Sequence, residues 1–267
     1  MNFEYTNEDL ILQSSSSLSK FDKTMESLWT VSYEGNYFRY KIDLSMSSLQ
    51  KVSKRNVDIF ILPNCNRFNH RRKPQPFSDI NDPITPESFN FNKVPTREIL
   101  LNVFEKHNTK SSFILINVSP FSYLHSLFVP EMKECYNQVL RKQSLYSAVK
   151  CFLLSANSHL WMLVMSCQQL RIAHNVFIAR SKSSGYMRVV VWPRCSAFGA
   201  KNVSAVDSEV GFYVAVAELA GMLVVASEDI ASTLNYDKVE SILSNERLPE
   251  NTLHILQCTL FEALRTT

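Results

Sequence analysis

In KFDKTMESLWTVSYEG, residues 20 to 35, apolar side chains recur at Phe21, Met25 and Leu28, the spacing of one helical face. Asp22 reads as the cap of that helix and Gly35 as its stop. NYFRYKID, 36 to 43, and REILLNVF, 97 to 104, read as strands. FILINV and SLFVP are two further short strands joined by the turn SPFSYLH, an antiparallel pair with His125 where the second strand begins. Residues 131 to 154 carry a helical stripe of Cys135, Val139, Leu140, Leu145, Val149 and Phe152. HNVFIAR and YMRVVVWPR, separated by SKSSG, predict another hairpin. Asp207 is expected to cap a helix running to about Leu223, and two more helices follow near 236 to 245 and 252 to 264. Strands followed by helices imply an α+β fold, an antiparallel sheet with flanking helices.

Polar runs set the organisation. QSSSSLSK, 13 to 20, can bury little, so residues 1–20 are expected to be a flexible Ser-rich tail. Residues 21–267 then form a single domain, since no repeat and no convincing linker divides them. Pro63, Pro74, Pro76, Pro83, Pro86 and Pro95 crowd one stretch, which predicts a long irregular connection.

Composition removes whole classes. At 267 residues, 45% hydrophobic and 20% charged, the chain suits an ordinary globular core. VAVAELAGMLVVA, 214 to 226, is interrupted by Glu218 and too short to span a bilayer. MNFEYTNEDL lacks a basic n-region and apolar h-region, so no secretory signal is expected and a cytoplasmic address is the default. The six cysteines show no C-x-x-C pair and no close Cys/His grouping, so no metal is implied. A formal charge of +3 does not by itself imply nucleic acid. The five glycines, at 35, 185, 199, 211 and 221, include no G-x-G and no P-loop pair, which excludes Rossmann and Walker phosphate cradles.

The pattern V-S-P-x-x-x-x-H-x-L-x-V-P, Val118 to Pro130, is on one reading only a strand-turn-strand with a buried imidazole. It also resembles the strand-turn-strand of the histidine-triad nucleotide-binding superfamily. GNYFRY (35–40), RRKPQ (71–75), FNFNKV (89–94), ILINVSPFSYLHSLFVPE (114–131), IAHNVFIAR (172–180), VVVWPRCSAFGAK (189–201) and AELAG (217–221) resemble, in order, blocks of the GDP-hexose phosphorylases. That family includes animal GDP-D-glucose phosphorylase and plant GDP-L-galactose phosphorylase. The resemblance implies a histidine-triad-like fold, here truncated, with GDP-hexose or another guanine nucleotide and inorganic phosphate as partners and no cofactor. In the family a histidine attacks the α-phosphorus of a GDP-sugar and expels hexose 1-phosphate. Phosphate then attacks the guanylyl-histidine to give GDP. Such transfer needs a neutral ring nitrogen aimed in line at phosphorus and donors to hold the charged oxygens.

The chain departs from this pattern. Its histidines stand at 70, 107, 125, 159, 174 and 254, and no two are separated by a single residue, so there is no His-x-His-x-His. Nothing between Pro130 and Ile172 resembles the family's G-x-N-S-L strand. Two alignments remain open. SANSHLWML places His159 at the first triad histidine and Trp161 at the nucleophile; alternatively a block holding two strands and the whole triad is missing, which better accounts for the short distance from His125 to IAHN. His159 is therefore the one catalytic candidate, beside its plain reading as a locally partnered histidine. His174 reads as structural, and Met222 stands where many relatives have histidine. In RFNHRRKPQP, otherwise a solvated basic loop, the resemblance raises Arg71 and Arg72 as phosphate contacts; single-stranded RNA beside Phe68 and Phe77 is the weaker rival. Asn117, Ser119 and His125 are expected to line the nucleotide pocket, with Arg194 and Lys201 behind them. The expected protein is a family member with lost or weakened catalysis. The alternative is a pseudoenzyme that binds guanine nucleotide or a protein partner.

Overall fold

The computed structural model describes residues 1–12, 17–71, 89–134, 141–156, 161–165, 173–180, 186–194, 212, 214, 216–245 and 248–265. In chain order the elements are β1 (Asn2–Tyr5), α1 (Lys20–Glu34), β2 (Gln50–Lys54), β3 (Val57–Pro63), α2 (Cys65–His70), β4 (Ile99–Glu105), β5 (Ser111–Ile116) and β6 (Ser126–Pro130). They continue with α3 (Lys142–Leu153), β7 (Trp161–Met165), β8 (Ala173–Arg180), β9 (Met187–Arg194), α4 (Val216–Leu219), β10 (Met222–Val225), α5 (Glu228–Thr233), α6 (Tyr236–Ser244) and α7 (Glu250–Arg265). The fold is mixed α+β, as expected. Its strands form three sheets in the orders β1-β4-β5-β6, β10-β3-β2 and β7-β8-β9, not one antiparallel sheet, and β1 and β10 join theirs in parallel.

Each of the first two sheets has its own core. Phe3, Phe21, Trp29, Leu101, Ile114 and Cys151 close the first, where α1 crosses the sheet. Ile59, Ile61, Leu223, Val225 and Val239 close the second. Ile178 of β8 packs with Ala148 and Phe152 of α3.

Four sequence expectations are corrected. Residues 2 to 5 are not a tail: Phe3 and Tyr5 alternate with exposed Asn2 and Glu4, a period of two that pairs with β4. Of the serine run, residues 13 to 16 lie outside the described residues. The cap of α1 is Ser19; Asp22 sits at the third helical position and completes a reciprocal capping box. Residues 36 to 43 form no strand, because their backbone bonds are irregular, Tyr37 donating to Ser32 O at 3.1 Å and Arg39 to Val118 O at 2.9 Å. The helix expected to run to about Leu223 ends at Leu219 and Met222 to Val225 is a strand; Gly221, at φ 88°, turns the chain from α4 into β10 as only glycine does without strain. The proposed Asp207 cap, Arg72, Lys201 and His159 all lie outside the described residues, as do Cys135, Val139 and Leu140 of the expected stripe.

Candidate functional site

β5 is a continuous buried run from Ser112 to Ile116, and the chain leaves the sheet at Asn117, ahead of Pro120, which has no N–H to offer a ladder. The chain turns back to β6 through residues 117 to 125, closed by Asn117 N–H to His125 O at 3.3 Å and by His125 N–H to Ser122 O at 3.2 Å. Leu124 takes a left-handed φ of 59° immediately before the histidine. The loop thus folds His125 back over its own start.

The ring of His125 is held inside that loop. Phe121 N–H donates to Nδ1 at 3.2 Å, Nε2 lies 3.1 Å from the Asn117 amide nitrogen, and the ring packs 4.1 Å from that of Phe121. Asn117 Oδ1 in turn accepts from Ser119 N–H at 3.1 Å. Enclosure and the nearby Arg67 charge push the imidazole pKa down to about 3, so the ring is neutral at physiological pH. A neutral imidazole has one lone pair on nitrogen, and here both nitrogens face loop groups. That lone pair is committed to the loop, whichever tautomer is present.

Side chains from two other segments pin the turn. Tyr40 Oη donates to Pro120 O, as does Asn64 Nδ2 at 3.4 Å, and Arg67 Nη1 donates to Ser119 O. Asn64 is also the cap of α2, accepting from Arg67 N–H at 2.9 Å, which fixes where Arg67 leaves the helix. The Arg67 guanidinium lies 5.5 Å from the centroid of the Phe121 ring. Burial lowers its pKa, while Tyr40 and the buried Glu218 favour its charge. Burial likewise pushes Tyr40 up to about 12, so its phenol stays a donor. Ser119 Oγ is buried and has no hydrogen-bond partner among the described residues, which leaves one hydroxyl ready for an incoming acceptor or donor.

The structure places Asn117, Ser119 and His125 in one loop, joined by hydrogen bonds through the Asn117 amide. Arg71 follows α2 and bonds back to Arg67 O at 3.1 Å, and its charge is felt by Arg67. Arg194 ends β9 opposite Ala173, in the third sheet. Sequence reasoning missed Tyr40, Asn64, Arg67 and Glu218. Asn64 carried a signal, a cap residue directly after an apolar strand; Glu218 carried another, as the lone acid in the apolar run 214 to 226. Among the described residues no group of three or more His, Cys, Asp or Glu is placed to hold a metal.

Two family models match the chain: "GDPGP1-like, N-terminal domain" over residues 20–179 and "GDPGP1-like, C-terminal domain" over residues 148–267. The chain belongs to the GDPGP1-like family. Similar proteins include GDP-D-glucose phosphorylase 1 of Danio rerio, 27% identical over 346 residues and covering 96% of this chain and 98% of that protein. The Homo sapiens protein of the same name is 24% identical, with 91% of this chain and 83% of its own length covered. That of Bos taurus is 31% identical over 147 residues, 52% of this chain and 37% of its own length. No solved structure matches the chain. The 346-residue span shared with the fish protein exceeds the 267 residues of this GDPGP1-like chain, so that relative contains segments without a counterpart here. No described helix is long and apolar enough to cross a membrane.

Proposed function

We propose that this GDPGP1-like chain binds a guanine nucleotide or GDP-hexose, and that its phosphorolysis of GDP-hexose to hexose 1-phosphate and GDP is lost or severely weakened. The observation that carries the reading is the state of His125: a neutral ring with both nitrogens turned to Asn117 and Phe121 is a wall of a pocket, not a nucleophile. The absence of any His-x-His pair in the sequence supports the same conclusion. In this reading the fold is a truncated histidine-triad-like one and the protein works in the cytoplasm. Asn117, Ser119 and His125 form the neutral side of the pocket, and Arg71, Arg72 and Arg194 approach the phosphates.

Three measurements test it. Incubated with GDP-glucose and phosphate, the purified protein should release no detectable glucose 1-phosphate; turnover like that of a phosphorylase refutes the loss. Intact-mass analysis after GDP-glucose without phosphate should show no guanylyl adduct. GDP well above its dissociation constant should raise the melting temperature by ligand linkage, and an unchanged melting temperature with GDP, GMP and GDP-glucose removes nucleotide binding from the proposal. In that event the protein-interaction reading is the one that stands.

A further inference from the structure

Replacing a buried charge by an apolar side chain of similar size often costs no stability, so a buried cation without an ion pair calls for another role. Arg67 is such a cation. It is partly buried on α2, and among the described residues no carboxylate stands within ion-pair distance of it; Glu218 acts on it from farther off. What the guanidinium does touch is the turn between β5 and β6. Nη1 donates to Ser119 O, and the group lies 5.5 Å from the centroid of Phe121, whose ring is 4.1 Å from that of His125.

The position of Arg67 is set in turn from the C-terminal part of the chain. β10 pairs in parallel with β3, and just past that ladder Val225 O accepts from Asn64 N–H at 2.9 Å. Asn64 is thereby held at the start of α2, where its side chain caps the helix at Arg67 N–H and also reaches Pro120 O. Glu218, buried in α4, stands at the other end of the same segment, and Phe60 N–H to Gly221 O at 2.8 Å ties the segment to β3 between the two.

On the reading that this loop binds nucleotide, we propose that Arg67 is its positioning residue: through the Ser119 carbonyl and the Phe121 ring it holds Asn117, Ser119 and His125 in their binding arrangement, and the 218–225 segment sets where it stands. A planar guanidinium can donate in its plane and lie against a ring with its face, so one group fixes the turn in two directions. A lysine, with a point charge on a flexible stem, supplies the charge without that geometry. Burial keeps the imidazole neutral, and the Arg67 charge adds to the effect. An arginine on α2 and an acid on α4 thus bear on a histidine that neither adjoins in sequence.

Arg67→Met, Arg67→Lys and Glu218→Gln in the full chain test this, with GDP affinity by calorimetry and the His125 ring titration by NMR as readouts and urea unfolding as the check that each variant folds. Arg67→Met keeps the length of the side chain and removes its charge and donors. It should weaken GDP binding at least about tenfold, the loss expected for one charge-assisted hydrogen bond, and raise the His125 pKa above about 3. Arg67→Lys should leave the imidazole titration near its wild-type position and recover only part of the affinity. Glu218→Gln should weaken GDP binding by less than Arg67→Met does. A folded Arg67→Met protein with wild-type affinity and an unmoved His125 titration overturns the proposal, as does an Arg67→Lys protein that matches Arg67→Met in both readouts; should Arg67→Met fail to fold, Arg67→Lys and Glu218→Gln decide it against wild type. A wild-type protein that binds no GDP removes the nucleotide reading instead, and the His125 titration then still decides whether Arg67 holds the loop.

Discussion

The loop between β5 and β6 and the hairpin of β8 and β9 are both antiparallel returns of similar size, yet they are finished in opposite ways. In the first, the carbonyls of Ser119 and Pro120 accept from side chains of distant segments, and the histidine ring is enclosed between Asn117 and Phe121. In the second, the outer strand leaves Val189, Val190 and Val191 open to solvent. A turn that is over-determined by contacts can hold a ligand wall rigid, whereas an edge with unmet apolar surface is stable only as far as its inner neighbour supports it. The contrast shows that one chain can finish two like returns with very different burial.

Core substitutions should sharpen that contrast most. Leu101→Ala or Leu115→Ala, at fully enclosed positions of β4 and β5, should each lower the unfolding free energy by about 2–5 kcal/mol in urea titration. Asn117→Ala removes the acceptor of Ser119 N–H and a neighbour of the imidazole, so a loss of about 1–3 kcal/mol is expected, together with loss of any GDP-induced thermal shift. Acid should find the same loop. The folded pKa of His125 is near 3 and the unfolded value near 6.5, so between them only the unfolded chain takes up the proton. Stability due to this residue is complete above pH 6.5 and falls by up to about 1.4 kcal/mol per unit below it. Denaturant midpoints from pH 7 to 5 should show that slope, and His125→Gln should lack it. The smallest effect belongs to the open strand, where Val191→Ala should change monomer stability by less than about 0.5 kcal/mol. A large loss there would mean that β9 is supported as firmly as β5.

Local signals made much of this legible. The hairpins at 113–130 and 174–194, and the last two helices, follow from period and turn chemistry alone, because each is closed by near neighbours in sequence. Parallel pairings were not legible: β1 meets β4 across about a hundred residues, and no local pattern encodes a partner that far away. The site divides in the same way. Asn117, Ser119 and His125 belong to one loop and could be read together, whereas Arg67, Tyr40 and Glu218 reach it from segments whose approach only the tertiary fold determines. Arg67 was passed over for its neighbours Arg71 and Arg72 because a basic run does not reveal which of its members is buried.

The carboxylate of Asp22 has a reach beyond its helix. Besides closing the box with Ser19, it accepts from Ser155 Oγ at 2.5 Å and from Ala156 N–H at 2.9 Å, while Ser19 Oγ donates to Leu154 O at 2.8 Å. One acidic side chain therefore anchors the exit of α3 to the opening turn of α1, five residues ahead of β7. The way out of α3 is thus fixed by a residue in the first tenth of the polypeptide, more than a hundred residues before the strands of the third sheet.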